Sequence, residues 1–396
     1  MEKIMDILQY IAHFGKNPDG SYTRRLYTPE YEQAVTAAKE LMEQGGMTTS
    51  RDAAGNILGI LPGTDPAAKH IILGSHLDTV PHGGLFDGAY GVAAALGALL
   101  RLKREGKRLR HTLEIYGFNG EEASGVGGTF GSRVLAGLVS PEQPRLAENL
   151  AQWGHTVQEI MEAKRDFSDA LCFLETHIEQ GGILEKKNLE IGVVTGISNI
   201  VRYTVTAHGL ANHGGTTPMV DRHDAMVAMA KLIVAADAAC RTIGHNLVFT
   251  PGKISCSPNA GNVVPETVVC SFEMRNLEKK YTDALIEEVR KTAAAIQEVT
   301  WDIELLLAKD SAECDSRLQK FIEESCQEAG ATYQYMPSGA GHDAESLAHR
   351  IPAAMIFIPS HLGISHNGKE YTAPEFVERG GDILYRTLLK VDSKGL

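Results

Sequence analysis

The alternation of short apolar segments with longer amphipathic ones constrains the fold of this chain more than any other feature. Residues 70–75 read HIILGS, a short buried strand, and residues 88–105 form a helix pattern with one apolar face. Two further strand patterns follow at 112–118 and 189–195. This alternation predicts an α/β fold with a mostly parallel sheet covered by helices, and such sheets bind ligands at the carboxyl ends of their strands.

The pattern changes near residue 198. Strand and helix patterns then follow in the order βαββαβ, at 200–207, 221–241, 247–255, 263–274, 281–297 and 301–308. This is the order of the split βαβ (ferredoxin-like) sandwich, a compact unit that can fold as an insert. A helix pattern at 315–329 and a buried strand at 353–358 then restore the first arrangement.

These two patterns predict a chain of two domains, which also suits its length, since 396 residues exceed one ordinary hydrophobic core. The first domain is expected to consist of residues 1–197 and 311–396, which together carry the chemistry. The inserted domain is expected at residues 198–310.

Charge excludes some classes of partner. The chain has 38 Lys and Arg residues against 50 Asp and Glu residues, a net charge of −12. Nucleic acids and anionic membranes require a basic face, so neither is expected as a partner. A small anionic substrate stays compatible with this balance, because a local arginine and a metal ion can reverse the field inside a cleft.

The cysteines and the amino-terminal segment indicate a cytoplasmic protein. The six cysteines form no C-x-x-C pair, and reduced, mostly buried thiols are expected. The opening segment MEKIMDILQYIAHFGKN is an amphipathic helix pattern and not a signal peptide. The longest apolar run, around Val92–Leu100, is far shorter than the roughly 20 residues that a membrane span requires.

Several residues of metal-ligand type follow predicted strand ends, and most have glycines nearby. They are His76 and Asp78 in GSHLDT, Asp87 in GGLFDGAYG, Glu121 and Glu122 in GFNGEE, His177 and Glu179 in LETHIEQGG, and His366 in GISHNGKE. Each alone is commonplace, since a single histidine after a strand is usually a polar loop residue. Together they predict a metal site, and imidazole and carboxylate without thiolate suit Zn²⁺, Mn²⁺ or Co²⁺.

The chemistry of these groups suggests a division of roles. His76 can bind metal through one ring nitrogen while Asp78 accepts a hydrogen bond from the other. Asp87, at the start of a helix, is kept ionised by the helix field and suits a carboxylate shared between two cations. Of Glu121 and Glu122, one can bind metal while the other faces a bound water as general base.

The motifs carry a resemblance to a known family. GSHLDT, FDGAYGV, FNGEE, LETHIEQGG, NHGGTTPM, SGAGHDA, MIFIPS and GISHN resemble the dizinc aminoacylase/carboxypeptidase family, and within it the branch of N-carbamoyl-L-amino-acid hydrolases and allantoate amidohydrolases. The resemblance covers essentially the whole chain. It implies a dizinc-peptidase-like fold whose inserted domain serves as lid and dimerisation domain, and two divalent metal ions per subunit, Zn²⁺ or Mn²⁺, with Co²⁺ or Ni²⁺ as alternatives.

The resemblance also implies roles for individual residues. His76, Asp87 and His177 would hold one metal, and Asp87, Glu122 and His366 the other. Glu121 would be the general base and Asp78 the partner that orients His76.

Substrate-binding roles follow from the same resemblance. Gln180 would line the pocket, and His213, Asn262 and Arg275 of the inserted domain would reach the active site of a partner subunit in a homodimer. Arg275 would grip a substrate carboxylate, and His213 would stabilise the oxyanion. The alternatives are a surface salt bridge for Arg275 and a turn residue for His213. His342 and Asp343, in GAGHDA, are expected to support the site.

Two departures from the branch pattern leave the substrate open. Residues 123–128 lack the Arg-Phe that commonly follows the glutamate pair, and His361 and Leu362 stand where a polar or acidic pair is typical. The expected substrate is an N-carbamoyl-L-amino acid, which would yield amino acid, CO₂ and ammonia. Allantoate or a related ureide is the alternative, followed by an N-acyl amino acid or peptide, and by a binding relative without catalytic activity.

Overall fold

The computed structural model describes residues 3–122 and 125–396, and the chain divides into two compact units. One unit, called here the larger unit, comprises Met1–Ile197 and Glu313–Leu396. The other, the inserted unit, comprises Ser198–Ala312. Each contains its own sheet and its own helices.

The helices of the described residues differ widely in length. They are α1 (Ile4–Ala12), α2 (Pro29–Gly45), α3 (Ala89–Arg104), α4 (Phe130–Leu135), α5 (Leu146–Ala151), α6 (Val157–Glu162), α7 (Ile183–Lys187), α8 (Ala225–Ile243), α9 (Lys279–Ala295), α10 (Ser316–Ala329), α11 (Asp343–Ala348) and α12 (Pro374–Lys394), with short 3-10 turns at Met219–Asp221 and His361–Gly363. Within the described part of the chain, none of these helices is long and apolar enough to cross a lipid bilayer.

The strands are β1 (Thr48–Arg51), β2 (Ile57–Leu61), β3 (His70–His76), β4 (Leu113–Phe118), β5 (Ala170–Ile178), β6 (Ile191–Ile197), β7 (Asn199–His208), β8 (Asn212–His213), β9 (Val248–Ser257), β10 (Val263–Val264), β11 (Thr267–Asn276), β12 (Thr300–Lys309), β13 (Ala312–Glu313), β14 (Tyr333–Ser338) and β15 (Ala353–Ile358).

The larger unit is built on a nine-stranded sheet. Its order is β1-β2-β4-β3-β5-β15-β6-β13, and β14 pairs with β6. The central pairs β4–β3, β3–β5 and β5–β15 are parallel, whereas β1–β2, β2–β4 and β15–β6 are antiparallel. The predicted α/β fold with a mostly parallel, helix-covered sheet is confirmed. Because β3, β4 and β5 run side by side in one direction, their carboxyl ends meet at one edge of the sheet.

Helix α3 packs against these three strands and begins at that edge. Its buried face carries a run of small residues, Val92–Ala95, followed by the larger Leu96 and Leu99. Small side chains let the helix approach the sheet closely, and each fully buried leucine contributes about 1.5–3 kcal/mol. The residue before α3 is Gly88, at φ +64°, where an added Cβ would lie 2.3 Å from the ring of His76. Only glycine fits there, so the start of α3 is held against the end of β3.

The inserted unit contains a four-stranded antiparallel sheet in the order β12-β7-β11-β9, with α8 and α9 packed on it. Phe272, Leu232 and Leu285 are central to its apolar core. The predicted strand at 263–274 is divided: β10 pairs with β8 in a separate two-stranded sheet, and β11 begins only at Thr267. Pro265 lies between them, and proline has no N–H to donate to a strand ladder.

Candidate metal centre

The residues of metal-ligand type in the larger unit lie where its parallel strands end. His76 is the last residue of β3, and His177 is the next-to-last residue of β5. Asp87 directly precedes Gly88 and the start of α3. Glu122 follows the end of β4, and His366 lies in the segment between β15 and α12. All but His366, whose side chain is 51% exposed, are buried.

Asp87 is the centre of this cluster. Its Oδ1 lies 3.2 Å from Nε2 of His177 and 3.5 Å from Nε2 of His76. Its Oδ2 lies 3.2 Å from Nε2 of His366, and that nitrogen is 3.4 Å from Oε1 of Glu122. The cluster therefore forms two groups of donor atoms that share Asp87: His76, Asp87 and His177, and Asp87, Glu122 and His366.

The two buried imidazoles both turn Nε2 towards Asp87, and Nε2 of His177 also accepts from the backbone N–H of Gly88 at 3.1 Å. Nδ1 of His76 lies 3.1 Å from the carbonyl oxygen of Asp78, and Nδ1 of His177 lies 2.9 Å from that of Ile178. A carbonyl oxygen only accepts, so each Nδ1 carries the proton. Each Nε2 faces Asp87, and a cation that takes the place of any proton there would meet the Nε2 lone pair of each ring, in the tautomer that a metal-binding histidine requires.

Asp78 holds the cluster in a way that the sequence did not predict. Its carboxylate lies 3.7 Å from Nδ1 of His76, and it is the main-chain carbonyl of Asp78 that accepts from this ring. The expected carboxylate–imidazole hydrogen bond is therefore replaced. The carboxylate instead accepts from the backbone N–H groups of Gly120, Glu121 and Glu122, at 2.9–3.1 Å. Three adjacent N–H donors compete successfully for one buried acceptor, and they fix the loop that carries both glutamates.

The electrostatics of the cluster fit a cation. Burial raises the pKa of Glu122, and the nearby Asp87 raises it further, to about 8. Oε1 of Glu122 is buried and has no hydrogen-bond partner among residues 3–122 and 125–396. Leaving a buried acceptor unpaired costs about 1–3 kcal/mol. A divalent cation between these oxygens would satisfy both the unpaired atom and the crowded negative charge.

Protons balance part of this charge in the absence of a cation. Burial opposes ionisation of Asp87, but hydrogen bonds from His177, His366 and His76 bring the pKa of Asp87 well below its usual value. The hydrogen bond to Asp87 raises the pKa of His366 to about 9. Metal binding to such a site displaces the imidazole protons, so affinity is expected to increase with pH.

Glu121 differs from its neighbour Glu122. Its carboxylate belongs to neither group of donor atoms, and its Oε2 lies 3.9 Å from Nε2 of His76. Burial raises the pKa of Glu121 well above its usual value; His76 opposes the shift, while Glu122 adds to it. A carboxyl group beside the donor atoms, with a raised affinity for protons, is suited to accept a proton from an attacking water.

Gln180 and Glu179, which follow β5, make different contacts near the cluster. The amide Nε2 of Gln180 donates to Oδ2 of Asp87 at 3.0 Å, so this residue contacts a ligand directly. Glu179 is no ligand: its carboxylate accepts from the backbone N–H groups of Ile183 and Leu184, at 2.7 and 2.8 Å, and caps α7. A carboxylate at a helix amino terminus is stabilised by the unpaired N–H groups there.

Two residues that the sequence analysis missed connect the segments of the site. Oε1 of Glu370 accepts from the backbone N–H of Phe86 at 2.9 Å and of Asp87 at 3.1 Å. Its Oε2 accepts from the hydroxyl of Ser365, which itself lies 3.3 Å from Oδ2 of Asp87. Glu370 thus ties the segment of His366 to the loop of Asp87. The only sequence signal for it is a carboxylate four residues after His366.

His342 packs against a histidine of the cluster. Its ring meets that of His177 edge to face, with centroids 4.6 Å apart, and its Nε2 lies 2.9 Å from the hydroxyl of Ser338. Burial and the nearby His177 hold the pKa of His342 well below its usual value, so this ring stays neutral. Asp343 is also buried, and burial raises the pKa of this carboxyl to about 7.

The predicted substrate residues of the inserted unit are exposed or half-buried. His213 and Asn262 are brought together by the pairing of β8 with β10, where the N–H of Gly214 donates to the carbonyl of Asn262 at 2.7 Å. Arg275 lies on β11 and forms a salt bridge with Glu273, at 2.7 Å, which is the contact of the alternative interpretation. Whether these residues bind substrate stays a prediction.

Of the two departures from the branch pattern, the structure describes His361 and Leu362 fully and residues 123–128 only in part. Nδ1 of His361 lies 2.6 Å from Oε1 of Glu185, and Leu362 is exposed, at φ +55°. Ala123 and Ser124, within the other departure, lie outside the described residues.

Comparisons with known proteins identify a family and several similar chains. Residues 72–390 match the model of peptidase family M20/M25/M40. The chain is 36% identical to an allantoate amidohydrolase from Bacillus subtilis, over 97% of each chain. It is 33% identical to an N-carbamoyl-L-amino acid amidohydrolase from Geobacillus stearothermophilus, over 98% of this chain and 97% of that one. A solved hydantoinase/carbamoylase family amidase from Burkholderia multivorans superposes with a TM-score of 0.90 at 28% identity, covering 99% of this chain and 98% of the other.

Proposed function

The chain belongs to peptidase family M20/M25/M40 and is a metal-dependent amidohydrolase that acts on C–N bonds. From this premise, we propose that its substrate is an N-carbamoyl-L-amino acid. The observation that carries the proposal is the pair of donor groups that share the two oxygens of Asp87, with Glu121 beside them. Imidazole and carboxylate donors in this arrangement suit Zn²⁺ or Mn²⁺.

In the proposed mechanism, His76, Asp87 and His177 hold one metal ion, and Asp87, Glu122 and His366 hold the other. When bound, the metals supply Lewis acidity towards the carbonyl oxygen and lower the pKa of water. The proton transfers and the positioning of groups are carried out by side chains of the protein.

Glu121 accepts the proton of the attacking water, whose oxygen forms a bond with the carbonyl carbon. The C–N bond then breaks, and Glu121 returns the proton to the leaving nitrogen. Asp78 holds the backbone of Glu121 and Glu122 throughout, because its carboxylate accepts from both N–H groups. The first products are the free amino acid and carbamic acid, and carbamic acid then decomposes to CO₂ and ammonia as its own C–N bond breaks.

The residues proposed to bind substrate are Gln180 in the larger unit and His213, Asn262 and Arg275 in the inserted unit. Arg275 suits a substrate carboxylate, because a guanidinium donates two parallel hydrogen bonds. His213 would stabilise the negative oxygen of the tetrahedral intermediate. The inserted unit of one chain is proposed to supply these groups to a second copy. Exposed apolar residues on its surface, Val220 and Val234 among them, support such a homodimer.

Allantoate is the second candidate, because a relative of that activity is as similar to the chain as the carbamoyl amino acid hydrolase. The experiment that separates the candidates is a substrate panel on enzyme reconstituted with Mn²⁺ or Zn²⁺. The panel contains N-carbamoyl-L-amino acids, N-carbamoyl-β-alanine, allantoate, ureidoglycolate, N-acetyl amino acids and dipeptides. Ammonia release and the organic product are both measured.

Turnover of a carbamoyl amino acid to the free amino acid is the expected result. If allantoate alone is cleaved, the proposed substrate is wrong while the catalytic roles stand. If metal-loaded enzyme cleaves none of these compounds, while a relative assayed in parallel is active, the proposed function is wrong.

A further inference from the structure

The segment after α3 concentrates positive charge in an acidic protein. Residues 101–111 read RLKREGKRLRH and contain six of the 38 basic residues of a chain whose net charge is −12. Three of the six are ion-paired. Within residues 3–122 and 125–396, Lys103, Arg104 and Arg108 form no ion pair with a carboxylate. Helix α3 also ends here, and cations at a helix carboxyl terminus are ordinary, so charge alone identifies no site.

A surface cavity of about 400 Å³ adjoins this segment. Its floor is apolar and includes the buried side chains of Leu102, Leu109 and Leu113. The other side of its lining is basic, with the exposed residues Lys103, Lys107 and Arg108. A concave site with an apolar floor and a few convergent polar groups is the usual form of a small-molecule site.

A buried histidine in the cavity wall provides an independent indication of a ligand. His111 lines the cavity and is only 6% exposed. The carboxylate of Asp392, in α12, accepts from Nδ1 of His111 at 3.0 Å and from its backbone N–H at 2.9 Å. Within the described part of the chain, Nε2 of His111 has no hydrogen-bond partner. Nε2 is not among the fully buried unpaired atoms of the described residues, so it is open to the cavity and available to a ligand there.

The loop that carries these groups is held in place before any ligand binds. The N–H of Lys107 donates to the carbonyl of Leu102 at 2.9 Å, and the carbonyl of Leu109 accepts from the N–H of Thr64 at 3.0 Å. Asp392 also accepts from the N–H of Arg110 at 3.1 Å. A site whose backbone is fixed in advance loses less conformational freedom on binding.

We propose that this cavity binds a phosphate monoester with a short aliphatic body. Lys103 and Arg108 suit a dianionic head group better than a single carboxylate, because each can donate a charge-assisted hydrogen bond, and Nε2 of His111 offers a further polar contact in the same cavity. The leucines of the floor suit an alkyl chain. Within the described part of the chain, no Phe, Tyr or Trp side chain lines the cavity, so its floor offers no large ring for stacking.

The site is separate from the metal centre and does not depend on the proposed function. It lies at the carboxyl end of α3, whereas Asp87 precedes the amino end. With 16 residues, α3 is about 24 Å long at 1.5 Å per residue. Metal-free protein is therefore expected to bind the phosphate ester as metal-loaded protein does.

The test is isothermal titration of the whole protein with octyl phosphate, in metal-free and metal-loaded forms. One saturable site is expected. Inorganic phosphate and octanoate are expected to bind at least about tenfold more weakly, because each lacks part of the complementary chemistry. Octanol, which has the alkyl chain but no charge, is expected to show no saturable binding.

Two charge-reversal variants distinguish a specific binding site from nonspecific electrostatic attraction. Arg108→Glu is expected to weaken octyl phosphate binding about tenfold or more. Arg104→Glu is the matched control, since Arg104 is also exposed and without an ion pair but does not line this cavity; its affinity is expected to stay within about twofold of the wild type. Thermal denaturation checks that both variants fold. Absence of saturable binding, or equal loss in the two variants, would overturn the proposal.

Discussion

The metal centre of the larger unit and the predicted substrate residues of the inserted unit differ in how they are held. Asp87 is 3% exposed and contacts three histidines. The loop of Glu121 and Glu122 is held by hydrogen bonds from its backbone N–H groups to the buried carboxylate of Asp78. His213 and Asn262 are exposed on a short two-stranded sheet, and Arg275 is paired with a carboxylate of its own strand.

This difference decides which functional residues can be recognised from the contacts of a single chain. Burying several carboxylates together is unfavourable unless a cation compensates, so the structure of the larger unit itself points to a ligand. Exposed polar residues have water as a partner and carry no such requirement. The metal centre can therefore be argued from contacts, whereas the inserted unit requires functional experiments. The following predictions test the contrast, in order of decreasing effect.

Replacement of Asp87 should have the largest effect, because its two oxygens serve both donor groups. Asp87→Asn is expected to lower kcat/KM by roughly 10⁴-fold or more, through loss of the bound metals. Steady-state kinetics with excess metal measure this. Asp52→Asn is the control, since Asp52 is a half-buried loop aspartate of the same unit that binds Asn56 and belongs to neither donor group. Near-normal activity of Asp87→Asn would contradict the shared-carboxylate account.

Glu121→Gln should separate proton transfer from metal binding. Turnover is expected to fall by about 10²–10⁴-fold, while metal content stays unchanged, since Glu121 is in neither donor group. Metal analysis and single-turnover kinetics on the same preparation check both parts. Loss of metal together with activity would show that Glu121 is a ligand instead of a base.

Glu370→Gln should weaken the cluster without removing any predicted ligand. The oxygen of a glutamine can still accept from both backbone N–H groups, but its NH₂ group cannot accept from the hydroxyl of Ser365 as Oε2 does, so the His366 segment is held less firmly against the loop of Asp87. Metal affinity is expected to fall by about 10–100-fold. Competition with a chelator measures this, and Glu375→Gln, an exposed change in α12, is the control. Equal affinities for the two variants would remove Glu370 from its positioning role.

Arg275→Gln should give the smallest of these effects and would sharpen the comparison most. If Arg275 grips substrate, KM should increase by about tenfold or more with metal content unchanged. Arg202→Gln is the matched control, because Arg202 also pairs with Glu273, from the neighbouring strand β7. Similar kinetics for the two variants would mean that Arg275 is a salt-bridge residue only.

The sequence predicted the parts of the fold and site that depend on short, repeated patterns. Buried strands read as apolar runs, and the ligands follow their ends, so His76, Asp87 and His177 were found without a structure. Glu370 was missed because its partners, the N–H groups of Phe86 and Asp87, are main-chain atoms nearly 300 residues away and leave no side-chain pattern. The role of the Asp78 carboxylate was misassigned for the same reason, since three backbone donors replaced the expected imidazole.

The most direct test of the central claim is a count of bound metal ions in the wild type and in two single variants. Each donor group contains histidine that the other lacks, and one histidine is removed from each: His177 from one group and His366 from the other. Wild-type protein, equilibrated with Mn²⁺ or Zn²⁺ and passed over a desalting column, should retain one ion for each donor group. His177→Ala and His366→Ala should each lose one of the two ions, and folding of the metal-free proteins should be unchanged by circular dichroism. A single retained ion in the wild type, or full retention in both variants, would contradict the account of two sites joined by Asp87.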